Sequence, residues 1–312
     1  MKEVATRVVS IAGNTVIDIP LRDVNISDSV GLEFVGNVDI MKDPVIPLLG
    51  GCGASAAFVL GAHGQPVTLN TNIGNDSWGR LATGWLESVG VKICDRVCHT
   101  TAAHMIKLDR EGRRQSYYYL GEKVKWELSL NLGSPYVFYS SGYGAVNTDD
   151  IEQMCNVFSD FRASGTRVVF DISPWFEGIV PKSLMLEAFK HVDYLIGTED
   201  EFREWEEGEN IPKLARNLLK NGVEYVVIKK GRLGAYAISQ FGEEVNAMVA
   251  ISSKKYTVGA GDCFNGRLLY GICHEEPFVE SVKYAANFAT RIVDLERGAL
   301  GAIDISCKET EL

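Results

Sequence analysis

The run Tyr256-Thr257-Val258-Gly259-Ala260-Gly261-Asp262-Cys263-Phe264-Asn265-Gly266 constrains this chain more than any other. Three small residues separate a β-favouring Tyr-Thr-Val from an apolar series, Phe264, Leu268, Leu269 and Ile272, so the sequence predicts a tight turn that opens a helix. The first amides of such a helix lack intrahelical partners, glycine lets a ligand approach the backbone, and the helix dipole adds positive potential. Together these make an anion cradle. Asp262 falls in the first helical turn, where a carboxylate can cap the helix or take a proton from a hydroxyl held close by.

The chain leading to this turn alternates short β-rich runs with amphipathic helical runs. Val4–Ile11 reads as a first buried strand, and from Tyr136–Tyr139 to Tyr225–Lys229 strands and helices follow in regular order. That pattern predicts a mainly parallel, doubly wound α/β sheet flanked by helices, with right-handed crossovers. Two stretches break it. Asp18–Asp43 alternates polar and apolar residues, and Thr101–Leu120 reads as two strands, Ala102–Leu108 and Gln115–Leu120, joined by a turn at Asp109-Arg110-Glu111-Gly112. The expected organisation is therefore a main unit of residues 1–16, 45–100 and 122–312, with a small β-sheet lid inserted as 17–44 and 101–121. Ligands of such sheets bind at the carboxyl ends of the strands. Asn14, Asp18, Asp171, Thr198, Lys229, Gly231 and the Gly259 turn all fall there.

Composition narrows the function classes. In 312 residues, 46% hydrophobic and 23% charged, the formal net charge of −10 argues against a nucleic-acid or anionic-membrane surface. The start, Met1-Lys2-Glu3-Val4, is followed by no long apolar run, and no stretch reaches ~18 apolar residues, so a cytosolic protein is expected. Seven scattered cysteines suit reduced thiols rather than a disulfide framework. Cys94 and Cys98 with His99 and His104 lack the second paired element of a zinc site and read as strand and loop residues.

The Gly259 run resembles the signature of the PfkB/ribokinase family of small-molecule kinases, Asp-Thr-x-Gly-Ala-Gly-Asp, with Tyr256 in the first position. Gly50-Gly51-Cys52-Gly53-Ala54-Ser55 is similar to that family's N-terminal glycine motif, and Ile73-Gly74-Asn75-Asp76-Ser77-Trp78-Gly79 to its Val-Gly-x-Asp-x-x-Gly element. The resemblance covers nearly the whole chain. It implies a ribokinase-like fold and an ATP- and Mg2+-dependent kinase that transfers the γ-phosphate to a hydroxymethyl group of a small sugar or sugar acid. By the same resemblance Asp262 is the general base, and Gly259, Ala260 and Gly261 form the anion hole.

It further implies that Asp18 binds sugar hydroxyls, with Asn14, Gly50, Gly51, Ser55, Tyr119 and Lys123 near the acceptor. Ser55 replaces an asparagine common in relatives, which speaks against ribose. Thr198, Lys229, Gly231, Gly234, Thr257 and Asn287 are implied for the nucleotide, and Glu201 for magnesium through water. Tyr256 stands where relatives carry an aspartate that helps hold a monovalent cation, and a phenol cannot supply that charge. Alternatives are a nucleoside kinase of the same fold and a catalytically silent sugar- or nucleotide-binding protein. A homodimer through the lid is expected.

Overall fold

The computed structural model describes residues 7–24, 41, 43–94, 98–110, 113–122, 133–141, 148–172, 179–254 and 256–305. In chain order these form β1 (Val9–Ala12), β2 (Val16–Arg22), β3 (Leu48–Gly50), α1 (Cys52–Ala62), β4 (Val67–Asn70), α2 (Ser77–Ser88), β5 (Lys92–Ile93), β6 (Ala102–Leu108) and β7 (Arg114–Tyr119). There follow β8 (Val137–Ser141), α3 (Thr148–Ala163), β9 (Arg167–Asp171), α4 (Lys182–Phe189), β10 (Tyr194–Thr198), α5 (Glu199–Arg203) and α6 (Ile211–Leu219). The last elements are β11 (Tyr225–Lys229), β12 (Ala235–Ser239), β13 (Glu244–Ala247), α7 (Ala260–Cys273) and α8 (Phe278–Leu295).

The larger sheet runs β13-β12-β11-β10-β9-β8-β1-β4-β5. Pairing is parallel from β11 to β5 and antiparallel between β11, β12 and β13. Both faces are covered, because adjacent side chains on one strand point to opposite sides. Val137 and Tyr139 of β8 pack with α1, α7 and α8, whereas Phe138 packs with α3, α4 and α6. This is the expected doubly wound architecture with a smaller sheet, ordered β3-β2-β6-β7. Leu48–Gly50, expected in the main unit, pairs antiparallel with β2 in that smaller sheet. The apolar residues Leu32, Phe34, Val35, Val38 and Ile40 lie outside the described residues.

One motif residue joins the two sheets. Asp76 caps α2, accepting from the Gly79 amide at 2.7 Å, and also accepts from the Thr101 amide at 2.8 Å at the entrance to β6. Burial would raise this carboxyl, but the Thr101 and Gly79 hydrogen bonds outweigh it and hold the group below its ordinary range. No helix among the described residues is long and apolar enough to cross a membrane.

Candidate functional site

Gly259 caps α7 in the left-handed conformation, φ 79° and ψ −4°, which explains a glycine there. It brings no side-chain cap, and the first amide of α7, that of Ala260, donates to the Thr257 carbonyl oxygen at 3.2 Å. Asp262 sits in the first turn, half-buried. Its carboxyl is pushed up to about 7, chiefly by burial and further by the carboxylates of Asp171, Asp18 and Glu201, against the attraction of Lys229. A carboxyl poised there is matched to proton transfer near neutral pH.

The Lys229 ammonium, at the end of β11, is the positive centre of this group. It donates to Asp171 Oδ2 at 2.8 Å, and a Cβ added to Gly261 would lie 4.0 Å from it. Burial alone would lower this ammonium, but Asp171, Glu201 and Asp262 hold it above its ordinary value. Asn265, one turn after Asp262, donates to Asp171 Oδ2 and to the Tyr139 hydroxyl, tying α7 to β9 and β8. Thr198 and Glu201 form a capping box on α5: Thr198 Oγ1 accepts from the Glu201 amide, and Glu201 Oε2 accepts from the Thr198 amide at 2.7 Å. Burial raises the Glu201 carboxyl, opposed by Lys229. Among the described residues no group of three or more metal-ligating side chains could cage an ion.

A cleft of about 690 Å³ opens beside Lys229. Lys229, Gly231, Gly234, Thr257, Ala260 and Gly261, six of the residues expected around nucleotide and phosphate, line it together. Gly234 has φ 84°, and a Cβ there would fall 2.0 Å from the Ala247 carbonyl oxygen. Asn287 does not line the cleft. On α8 the lining positions are Ala286, Ala289, Thr290 and Val293, a stripe of helical period, and Asn287 lies one residue off it. That periodicity was the available signal.

On the smaller sheet, the strand register sets Asp18, His104 and Tyr118 in one row across β2, β6 and β7. His104 Nε2 lies 3.3 Å from Arg114 Nη2, and a guanidinium can only donate, so this nitrogen accepts. The ring proton is therefore on Nδ1, which donates to Asp18 Oδ1 at 3.2 Å. Tyr118 packs against His104, ring centroids 5.0 Å apart, and its hydroxyl accepts from Asn14 Nδ2 at 3.1 Å. Asn14 Oδ1 in turn accepts from the Cys52 amide at 3.0 Å, so the row is tied to the start of α1. Gly50 and Gly51 are glycines because of this row. A Cβ on Gly50 would meet Asp18 Oδ2 at 2.2 Å, and Gly51, φ 87°, would meet the Asn14 carbonyl oxygen at 2.5 Å.

Ser55 is buried beneath, its hydroxyl 3.5 Å from the Leu49 carbonyl oxygen. Tyr119, expected at the acceptor, lies on the opposite face, half-exposed and bonded to Thr100, because neighbouring residues on a strand alternate sides. Tyr118 and His104 take the inward positions, which only the β6–β7 register reveals. Lys123 lies outside the described residues.

Tyr256 is not part of a strand. Its hydroxyl donates to Asp23 Oδ1 at 3.0 Å, and the Arg22 guanidinium lies over its ring at 4.9 Å.

A family model described as pfkB family carbohydrate kinase matches residues 47–300. A Listeria monocytogenes serotype 4b protein named 5-dehydro-2-deoxygluconokinase is 30% identical over 275 residues, 78% of this chain and 80% of its own. A Listeria innocua protein of the same name is 33% identical over 106 residues, so this match spans 33% of each chain. Among solved structures, Arabidopsis thaliana ribokinase complexed with ribose and ATP has a TM-score of 0.75 at 17% identity, over 98% of this chain and 97% of that one. That is a likeness of fold.

Proposed function

The chain belongs to the pfkB family of carbohydrate kinases, phosphotransferases acting on a sugar hydroxyl, and from that premise we propose an ATP- and Mg2+-dependent kinase of a small sugar acid, phosphorylated on a hydroxymethyl group. The observation that carries this reading is that Asp262, next to the cleft-lining Gly261, feels the charges of both Lys229 in the cleft and Asp18 in the Asp18–His104–Tyr118 row.

In this reading Asp262 takes the proton of the acceptor hydroxyl, which Asp18 and Asn14 orient over Gly50, Gly51 and Ser55. The amides of Gly259, Ala260 and Gly261 receive the charge that develops on the γ-phosphoryl group, and Lys229 neutralises phosphate oxygens as a point charge. Phosphoryl transfer requires positioning and charge neutralisation more than covalent chemistry, and these groups supply both. Thr257, Gly231 and Gly234 line the nucleotide, with Ala286 and Thr290 opposite. Thr198 sets Glu201 through the capping box.

The carboxylates of Asp171, Glu201 and Asp262 crowd around one ammonium, so a polyanionic nucleotide must enter with its own cations. This donor set fits magnesium carried on the phosphates and held by Glu201 through water, where it would offset phosphate charge. The sugar-acid assignment rests on Arg114, whose guanidinium reaches the His104 row, and on the name of the Listeria monocytogenes relative. The exposed Met105, Tyr117 and Tyr119 on the outer face of the smaller sheet support a homodimer through that face.

The test is coupled ADP release with purified protein, ATP and Mg2+ against sugar acids such as 5-dehydro-2-deoxygluconate, neutral sugars and nucleosides. Turnover confined to sugar acids is expected. Turnover on adenosine alone would transfer the assignment to a nucleoside kinase, and ligand-induced thermal shifts without turnover would leave a binding protein.

A further inference from the structure

A cation of the chain itself, Arg22, reaches from the smaller sheet to Tyr256, three residues before Gly259. Arg22 ends β2, four residues after Asp18 and on the same face of the sheet. Its guanidinium lies over the Tyr256 ring at 4.9 Å, and Nη2 donates to the Glu296 carbonyl oxygen at 2.8 Å. The Glu296 carboxylate pairs with Arg22 at 3.9 Å and with Lys254 at 3.0 Å. Glu296 ends α8 in the left-handed conformation, φ 53°, and two residues later the chain packs on the cradle: a Cβ on Gly259 would meet Gly298 Cα at 3.5 Å. Asp23, φ 56°, holds the Tyr256 hydroxyl from the other side. Two non-glycine residues in that conformation flanking one contact mark a tightly determined junction.

These groups do not fit an alkali ion. The position that the family resemblance gives to a carboxylate carries a phenol bound to Asp23, the nearby Glu296 carbonyl oxygen accepts from Arg22 Nη2, and the Glu296 carboxylate is paired with two cations of the chain, Arg22 and Lys254. We infer that Arg22, clamped between Tyr256 and Glu296, takes over the support of the Gly259–Gly261 turn and makes the kinase independent of monovalent cations. Arg22 is a positioning residue. It acts on the turn through Glu296 and Gly298, and it ties that turn to the strand that carries Asp18.

The inference rests on the kinase reading for its activity arm only. Wild-type turnover, measured in potassium chloride and in choline chloride at matched ionic strength, should differ by less than about twofold, and Arg22→Ala should lower kcat about tenfold while the KM for ATP moves less than about threefold. Potassium stimulation of the wild type by about fivefold or more, or an unchanged kcat in folded Arg22→Ala, overturns it while leaving the kinase assignment intact. The second arm needs neither turnover nor a variant. The unfolding midpoint of the wild type with a non-hydrolysable ATP analogue should be equal in the two salts, and a midpoint raised specifically by potassium overturns the inference even if no acceptor is turned over.

Discussion

The Lys229 ammonium donates to Asp171 Oδ2 at 2.8 Å across the ends of β11 and β9. The same ammonium also attracts the Asp262 carboxylate, so in the proposed mechanism it couples the cleft to the proton acceptor. Lys229→Met should raise the KM for ATP about tenfold by removing a phosphate partner. It should also move the acid limb of the pH–rate profile upward, since Asp262 loses an attractive neighbour while Asp171, Asp18 and Glu201 remain. Steady-state kinetics over a pH series checks both, and a limb that stays in place would separate Lys229 from Asp262.

Asp262→Asn is the direct test of the base. Nucleotide binding, read by thermal shift, should persist, while kcat falls by about three orders of magnitude. Near-normal turnover would remove Asp262 from that role.

The raised Asp262 carboxyl, at about 7, has two consequences with opposite signs. In rate, kcat/KM should fall about tenfold per pH unit below about 7 as the base is protonated. In stability, the folded state holds this proton more tightly than the unfolded chain, whose aspartates titrate near ~3.9. The contribution is therefore full at low pH, declines from about pH 4 and is lost once the pH passes about 7. Asp262→Asn lacks the decline. Its melting temperature should exceed that of the wild type by a margin that opens over this window and stays level above it, and differential scanning calorimetry across the window would show it.

Gly51→Ala should destabilise the fold by about 2–3 kcal/mol, because Gly51 has φ 87° and an added Cβ would meet the Asn14 carbonyl oxygen at 2.5 Å. Denaturant unfolding measures this. Gly64→Ala, at φ 74° with open space around it, should cost only about 1 kcal/mol from backbone strain.

His104→Ala should raise the KM for the acceptor more than that for ATP, since His104 braces Asp18 and lies away from the nucleotide cleft. A rise of about tenfold is expected for the acceptor alone. Equal changes in both constants would place His104 in general stability instead.

Features that depend on neighbours along the chain could be read from the residues alone. The turn at Gly259, the helix after it and the strand–helix alternation follow from local spacing and from the few residues that tolerate positive φ, so the doubly wound sheet and the position of Asp262 were legible. So was the convergence of Lys229, Gly231, Gly234 and Thr257, because strands of a parallel sheet end on one side. Other features depend on register and on which distant residues meet in the fold. A one-residue step along β7 separates inward Tyr118 from outward Tyr119, and a one-residue step along α8 takes Asn287 off the cleft while Ala286 and Thr290 line it. Asp18 to His104 spans 86 positions and Arg22 to Glu296 spans 274. No local propensity encodes such contacts. They arise when the two sheets pack together, and that packing, rather than any motif, sets which side chains surround Asp18 and which meet Tyr256.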